Sequence, residues 1–247
     1  MIVHLIVILV IVLILISLFY CQYRVSESFS NSNSKLNIIQ TWKNYQVPSK
    51  YKNLVLSVKK LNPYCNYTLF NDNDIEHFLK QKFPQYLSTF HKFPYTIQKI
   101  DFFRYLAIYY YGGVYLDLDI KLHQSIQDLN NTSKCVFPLE FERSTDQILH
   151  QQGFQGLIGN YAFYAPKNHP FIKKIIDNIV SERIPIKMSE CSDYRQYVYY
   201  TTGPVMVTQS YLDYSSKHEI DIIKPQPFQK SSFGNYGKHV QMGTWKL

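Results

Sequence analysis

Two aspartates, Asp117 and Asp119, are separated by one residue in an otherwise apolar stretch that begins at Val114. On a β-strand this spacing puts both side chains on the same face. Two carboxylates in apolar surroundings repel each other unless a cation or hydrogen-bond donors lie nearby. A divalent cation held by both would bind a diphosphate and neutralise it as a leaving group. Asp-x-Asp alone is a weak signal, and the second copy, Asp72–Asp74, is predicted to cap a helix.

A second charged pair, Asp101 and Arg104, precedes these aspartates. On a helix, residues three apart share a face. The pair is either a surface ion pair or a pair that binds sugar hydroxyls, because a carboxylate and a guanidinium recognise hydroxyl groups with strict geometry. Spacing alone leaves both interpretations open.

The helices and strands that position these residues can be predicted from the hydrophobic periodicity of the sequence and from its Pro and Gly residues. Pro94 begins the longest predicted helix, which ends at Gly112-Gly113, and Val114–Ile120 is predicted as the strand that follows. Further strands are predicted at 36–42, 67–70, 161–165 and 220–223, and helices at 50–61, from 71–74 to about 82, at 169–181 and after 203–204. Alternating strands and helices predict an α/β fold with a largely parallel central sheet, in which ligands bind beyond the carboxyl ends of the strands.

The amino-terminal segment is predicted to be a membrane anchor. From Ile2 to Tyr20 the residues are almost all apolar, and a helix of that length spans about 28 Å, close to the thickness of a bilayer core. A cleaved signal peptide is the alternative, but no Lys or Arg precedes the run. We therefore expect a transmembrane anchor over 1–21, a Ser/Asn-rich stem over 22–35 and one folded domain over 36–247. This predicts a single-pass protein of a Golgi- or ER-type endomembrane.

The composition indicates a globular domain with a large core, since it includes 22 Tyr and 16 Phe and only 18% charged residues. The formal net charge of +8 is compatible with an anionic ligand such as a diphosphate or an acidic lipid headgroup. Because the Lys and Arg form no basic stripe, no nucleic-acid partner is expected. Cys65, Cys135 and Cys191 have no metal-binding spacing, and disulfide and reduced states both remain open.

The run from Asp101 to Asp119, together with the opening segment Ile38–Lys43, resembles glycosyltransferase family 32, the Och1-like, DXD-containing sugar transferases. Within that family it is similar to the inositol phosphorylceramide mannosyltransferases. The similarity extends from about Leu36 to Asp119, with weaker matches at Asn160, at 202–204 and at 239–245. The resemblance implies a GT-A fold, a GDP- or UDP-sugar donor, Mn²⁺ or Mg²⁺ as cofactor, and retention of the anomeric configuration.

The resemblance also implies a set of site residues. Those expected to contact the nucleotide sugar are Trp42, Asp101, Arg104, Tyr115, Asp117, Asn160 and Trp245; the catalytic set is Asp101, Arg104, Asp117 and Asp119; the metal ligands are Asp117, Asp119 and His239. Trp42 would lie beside the base, although a core position is an equal alternative, and His239 is alternatively a structural residue.

The expected function is transfer of a sugar, mannose as the first choice, from a nucleotide-sugar donor to a glycan or lipid-linked acceptor. No carboxylate nucleophile stands out, which favours a front-face retaining route. An inverting enzyme would instead need a base, for which Glu140, Glu142 and Asp193 are the candidates. The alternative from another class is a membrane-tethered binding or scaffold protein with the same fold and no turnover.

Overall fold

The computed structural model describes residues 35–140, 154, 156–227 and 231–240, together with Val12. The chain divides into two compact units, residues 1–35 and 36–247, and the second contains all the elements below. Apart from Val12, the predicted anchor lies outside the described residues. Among the helices that the structure does describe, none has the length and apolar character needed to cross a bilayer.

A seven-stranded sheet forms the centre of the second unit. Its strands are β1 (Asn37–Thr41), β2 (Asn66–Phe70), β3 (Gly113–Leu116), β5 (Cys135–Glu140), β6 (Leu157–Ile158), β7 (Ala162–Ala165) and β8 (Ile220–Ile223). The order is β2-β1-β3-β7-β5-β6, with β8 also paired to β5. β1 is parallel to β2 and β3, and β8 is parallel to β5, whereas β6 and β7 are antiparallel to their neighbours. Five strands thus share one direction, which confirms the predicted α/β fold with a mostly parallel sheet.

A smaller antiparallel sheet joins β4 (Ile120–Leu122) to β9 (Ser232–Phe233) and β10 (Gly237–His239). β10 pairs directly with β4, so that His239 lies opposite Ile120. Since Ile120 follows Asp119 in the chain, this pairing brings the late segment 231–240 to the Asp117–Asp119 pair.

Seven α-helices surround the sheets in the described part of the chain. They are α1 (Ser49–Leu61), α2 (Asp72–Lys82), α3 (Leu87–Lys92), α4 (Thr96–Tyr111), α5 (Pro170–Val180), α6 (Tyr194–Thr201) and α7 (Pro204–Leu212). The predictions of α1, α2, α4, α5 and α7 are confirmed to within a residue or two. The short helices α3 and α6 were not predicted from the sequence.

Helix α4 carries Asp101 and Arg104 through the interior. Every residue from 101 to 108 is buried, because the helix is apolar on nearly all sides and packs between the sheet and α5. It ends at Gly112, which has a φ of 67°. A Cβ on Gly113 would lie 2.3 Å from the backbone oxygen of Asn37, so glycine is what allows β3 to begin directly against β1.

Aromatic residues fill the core beneath the site. Phe163 on β7 stacks on Phe137 of β5 with ring centroids 4.9 Å apart, and it also contacts Tyr105 of α4 and Tyr115 of β3. All four side chains are fully buried. Burial of each such ring contributes about 1.5–3 kcal/mol, which makes the sheet and α4 one rigid support.

The three cysteines in the described part of the chain form no disulfide. Cys65, Cys135 and Cys191 are free thiols, and Cys135 lies fully buried at the start of β5. Burial raises the pKa of the Cys135 thiol well above its usual range. Of the two states left open by the sequence, the structure therefore has the reduced one for these three residues.

Candidate active site

The Asp117–Asp119 pair lies on a turn between two strands. β3 ends at Leu116, and the amide of Ile120 donates to the backbone oxygen of Asp117 at 3.1 Å, which closes the turn before β4 begins. The prediction of one strand over Val114–Ile120, and of a shared strand face for both aspartates, was therefore wrong. The chain turns here because β4 pairs with β10 in the second sheet instead of extending β3.

Asp117, Asp119 and His239 nevertheless converge. One ligand atom from each lies within 4.8 Å of the others, and His239 Nε2 is 3.2 Å from Asp119 Oδ1. The amide of Val240 donates to the backbone oxygen of Asp119 at 2.9 Å, and the Tyr161 ring stacks on the imidazole with centroids 4.4 Å apart. Two carboxylate oxygens and an imidazole nitrogen form a donor set that suits a divalent cation such as Mn²⁺.

The Nδ1 side of the His239 ring contacts the hydroxyl of Ser231, which is in turn bound to the carboxylate of Glu140. His239 Nδ1 is 3.3 Å from Ser231 Oγ, which donates to Glu140 Oε1 at 2.8 Å. A partner on Nδ1 fixes the orientation of the ring and leaves Nε2 towards the aspartates. Ser231 was missed from the sequence, since nothing local links it to Glu140, 91 positions away.

Asp101 and Arg104 form a buried ion pair at 3.0 Å, with side-chain exposures of 4% and 3%. The interpretation of a surface ion pair was therefore wrong. Arg104 Nη1 also donates to the backbone oxygen of Asn160 at 2.7 Å and lies 3.5 Å from Asp117 Oδ1. A single guanidinium thus joins the helix carboxylate to the turn carboxylate.

The remaining lone pairs of Asp101 are satisfied by residues from two other segments. Thr202 Oγ1 donates to Oδ2 at 2.9 Å, and Asn160 Nδ2 donates to Oδ1 at 3.1 Å. The same Asn160 amide lies 2.9 Å from the hydroxyl of Tyr105, which donates to the Thr202 backbone oxygen. The structure therefore brings together Asp101, Arg104 and Asn160 as predicted, and adds Thr202 to them.

Burial and charge act in opposite directions on these groups. Burial raises the pKa of Asp101 to about 6, although Arg104 and the Thr202 hydroxyl lower it. Burial also raises the pKa of Asp117 against the opposing effect of Arg104. For Arg104, burial lowers the pKa, but the charges of Asp117, Tyr115 and Asp101 together raise it by more. The net pKa is therefore raised, and the guanidinium stays charged. For His239, burial lowers the pKa, but the hydrogen bond to Asp119 and the negative charges of Asp119, Asp117 and Glu140 together outweigh burial, so the pKa is raised.

Tyr115 lies behind Asp117. Its hydroxyl donates to Asp117 Oδ1 at 3.0 Å and is 3.0 Å from Thr41 Oγ1, and the Arg104 guanidinium carbon is 4.5 Å from the centre of its ring. The side chain is fully buried on β3. Tyr115 therefore fixes the carboxylate of Asp117 from the core side.

The other predicted positions lie in different places. Trp42 follows β1, is half-buried, and contacts Tyr51 of α1 with centroids 5.3 Å apart. Trp245 and Glu142 lie outside the described residues. Asp193 caps α6 at the surface, where it accepts from the amides of Arg195 and Gln196.

One cleft collects the charged groups. Its polar lining consists of Asp101, Arg104, Asp117, Glu140, Asn160 and His239, and residues around the junction of α6 and α7 form an apolar side. Because these residues come from α4, the β3–β4 turn, β5, the segment before β7 and β10, the cleft is a property of the whole fold. Clefts of this kind, with convergent polar groups and shifted pKa values, are the usual places for ligand binding.

The sequence comparisons agree with this site. Residues 48–136 match the family described as "Glycosyltransferase sugar-binding region containing DXD motif". The chain is 26% identical over 213 residues to inositol phosphoceramide mannosyltransferase 3 of Schizosaccharomyces pombe, covering 83% of this chain and 54% of the relative. It is 27% identical over 217 residues to inositol phosphoceramide mannosyltransferase 1 of the same yeast, covering 84% and 61%. The chain thus spans a little over half the length of these relatives.

Among solved structures, the PaToxG glycosyltransferase aligns with a TM-score of 0.49 at 18% identity, covering 78% of this chain and 76% of that one. The resemblance noted from the residues is supported: a DXD-containing sugar-binding region matches residues 48–136, and the chain is similar to inositol phosphoceramide mannosyltransferases over most of its length.

Proposed function

We propose that this chain is a metal-dependent, retaining glycosyltransferase of GT-A type that moves a hexose from a nucleotide sugar to a glycan or glycolipid. The observation that carries the proposal is the convergence of Asp117, Asp119 and His239 within 4.8 Å, beside the cleft that Asp117 and His239 line together with Asp101 and Arg104. The family match adds the expectation of a sugar-binding region over residues 48–136.

The charged contacts of the site are compatible with a bound cation. Arg104 forms ion pairs with Asp101 and Asp117, and His239 Nε2 lies 3.2 Å from Asp119 Oδ1, so two carboxylates and an imidazole meet at one point. Asp117, Asp119 and His239 would hold the ion, with Mn²⁺ favoured over Mg²⁺ because one ligand is an imidazole. Such a cation supplies electrostatic stabilisation of a departing nucleoside diphosphate.

The protein side chains would do the positioning. Arg104 holds the carboxylates of Asp101 and Asp117 in place, and Tyr115 anchors Asp117 from below. Asn160 and Thr202 orient Asp101, so the group expected to face the donor sugar is fixed before substrate binds. A carboxylate and a guanidinium held in this way discriminate sharply among sugar hydroxyls.

Retention through a front-face route fits the carboxylates that line the cleft. Among the described residues, Glu140 is the one carboxylate in the lining outside the Asp101–Asp117–Asp119 network, and it accepts a hydrogen bond from Ser231. The acceptor hydroxyl would therefore enter beside the leaving phosphate. In an inverting reaction, Glu140 would be the base best placed to act.

Mannose from GDP-mannose is the first candidate for the transferred sugar, because the relatives are named as mannosyltransferases of inositol phosphoceramide. An anionic glycolipid is the corresponding acceptor class, and a glycan is the alternative. With the predicted anchor over 1–21, the protein would act at an endomembrane of Golgi or ER type.

The test is a donor panel. The purified full-length chain is incubated with GDP- and UDP-sugars, with Mn²⁺, with Mg²⁺ and with a chelator, and release of nucleoside diphosphate is measured. We expect hydrolysis of one donor that stops when the metal is removed, and a product with retained anomeric configuration. Binding of a donor without turnover would contradict the proposal and favour a scaffold protein of this fold.

A further inference from the structure

Helix α1 presents an outward face that the sugar site does not use. Tyr51, Val55 and Val58 point into the domain and are buried. On the opposite side Leu56 is 61% exposed, although it is a large apolar residue. Lys52, Lys59 and Lys60 are exposed on the same side, since positions i−4, i+3 and i+4 from Leu56 surround it on a helix.

We call Lys52, Leu56, Lys59 and Lys60 the α1 lysine face. Within the described part of the chain, none of its three lysines forms an ion pair with a carboxylate, and Lys59 Nζ lies 4.2 Å from the centre of the Tyr67 ring. Residues 35–71 contain six lysines and no Asp or Glu. The face is therefore positive without local compensation.

The neighbouring elements do not reverse this charge. β4 packs against α1 and adds the exposed Lys121. The segment that follows is tied to α1 by Asn62, which accepts from the amide of Ile126. Asp128 lies two residues after Ile126, and its carboxylate accepts a hydrogen bond from the hydroxyl of Tyr236 at 2.9 Å.

An exposed leucine surrounded by lysines is typical of a helix that lies on an anionic lipid surface. The leucine enters the boundary between headgroups and acyl chains, and the lysine stems cover apolar surface while their ammonium groups reach the headgroups. The predicted anchor over 1–21 would bring the domain to a bilayer surface. An acidic protein would match the charge but has no comparable reason to lie nearby.

We propose that the α1 lysine face docks on an anionic membrane surface. The contact is separate from the predicted anchor, and it would orient the domain in addition to tethering it. It does not depend on the sugar site, since none of its residues lines the cleft.

The experiment uses the full-length chain in lipid nanodiscs, either of neutral phosphatidylcholine or of phosphatidylcholine with phosphatidylserine. Lysines are acetylated briefly, and labelling at each position is measured by mass spectrometry. We expect Lys52, Lys59 and Lys60 to be protected in the anionic discs and less so at high salt, with the exposed Lys187 labelled equally in both discs. Equal labelling of the α1 lysines in both discs would overturn the proposal.

A pair of matched variants sharpens the test. In K59Q/K60Q, the ratio of docked to undocked protein, measured from labelling at Lys52, should fall about 30-fold, because each lysine near an anionic surface contributes about a factor of five. The control K187Q/K224Q removes the same charge from exposed positions elsewhere. Equal loss of Lys52 protection in both variants would show attraction by net charge alone and overturn the proposal. Hydrolysis of a nucleotide sugar in detergent should be the same for both, so a failure here is distinct from a failure of the proposed activity.

Discussion

The pairs Asp72–Asp74 and Asp117–Asp119 have the same spacing but lie in different surroundings. Asp72 and Asp74 begin α2, where Asp74 accepts from the amide of Asn71 at 2.9 Å and Asn71 accepts from the amide of Asp74 at 3.0 Å. Asp117 and Asp119 lie on a turn between two strands, with side-chain exposures of 29% and 13%. Their charged partners, Arg104 and His239, come from distant parts of the chain.

The difference shows what decides the use of an Asp-x-Asp pair. At a helix amino terminus, backbone amides and the helix dipole stabilise carboxylates locally, so no cation is required. At the turn after β3, Asp117 contacts the side chains of Arg104 and Tyr115, and Asp119 lies beside His239, so the fold brings partners from distant parts of the chain. The two pairs therefore have the same spacing, but their roles differ because one lies at the start of a helix and the other on a turn between two strands.

The largest difference between the two pairs should appear in catalysis. Asp119→Asn should lower nucleotide-sugar turnover by about a thousandfold or more, because it removes a ligand charge at the position where the leaving group is stabilised. Donor hydrolysis by the purified chain measures this. Asp74→Asn is the matched control, and full activity in the Asp119 variant with an unchanged melting temperature would remove the metal hypothesis.

The second effect concerns stability. Arg104→Met leaves the carboxylate of Asp101 buried without its cation, and breaking such a pair costs about 3–5 kcal/mol. Denaturant unfolding followed by circular dichroism checks this. Removal of an exposed cation near the first pair, Lys43→Met, should change stability by less than about 0.5 kcal/mol. Equal losses in the two variants would mean that the buried network adds nothing specific.

The third effect is a pH dependence specific to the second site. A carboxyl whose pKa is about 6 when folded and near 4 when unfolded stabilises the fold only while it is protonated. Its contribution is therefore complete below pH 4 and is lost as the pH rises through 6, a change of about 3 kcal/mol. Asp101→Asn should lack this loss. The unfolding free energies of wild type and variant should be similar near pH 4 and should diverge towards pH 7, as the wild type loses stability and the variant does not; parallel curves would contradict the raised pKa.

The fourth effect concerns the support of the imidazole. Ser231→Ala removes the partner of His239 Nδ1 and should weaken Mn²⁺ binding about tenfold, as is usual for groups that orient a metal ligand. Titration of Mn²⁺ followed by the electron paramagnetic resonance signal of the free ion measures the affinity. Ser231→Thr keeps the hydroxyl and should restore most of it. Unchanged affinity in the alanine variant would show that the Ser231–Glu140 contact does not position the ring.

The smallest effect belongs to the first pair. Asn71→Ala removes the side-chain cap of α2 and should cost about 1 kcal/mol in the free energy of unfolding. Mn²⁺ affinity and donor hydrolysis should not change. A loss of metal binding in this variant would mean that the two pairs are coupled, which the structure does not suggest.

Local signals predicted local structure well. The cap at Asn71, the helix that begins after Pro94 and its end at Gly112 all depend on residues adjacent in sequence, and all three are confirmed. The turn at Asp117 was missed because Val114–Ile120 contains no Gly or Pro and is apolar apart from the two aspartates, and the strand ends there because β4 pairs with β10. No pattern within seven residues could have predicted that.

The burial of Asp101 and Arg104 was not predicted, although the sequence around them contained a signal for it. The sequence around them, Phe102-Phe103 and Tyr105-Leu106, is apolar on every side of the helix, which is the pattern of a buried helix. That signal was available and would have excluded a surface ion pair. The contact from Ser231 to His239 and Glu140 had no such signal, since it joins β5 to the late segment 231–240 across the fold.

The pairing of β10 with β4 would link the proposed metal binding to the order in which the chain folds. The turn with Asp117 and Asp119 is synthesised about 120 residues before His239 and Val240, so the ligand set is complete only after the late segment has docked. A cation that binds only the completed set would stabilise that docking by about 2.7 kcal/mol at a concentration one hundred times its dissociation constant. Availability of the metal would then influence how firmly residues 231–240 are held, and hence how much of the newly made protein has this segment paired with β4.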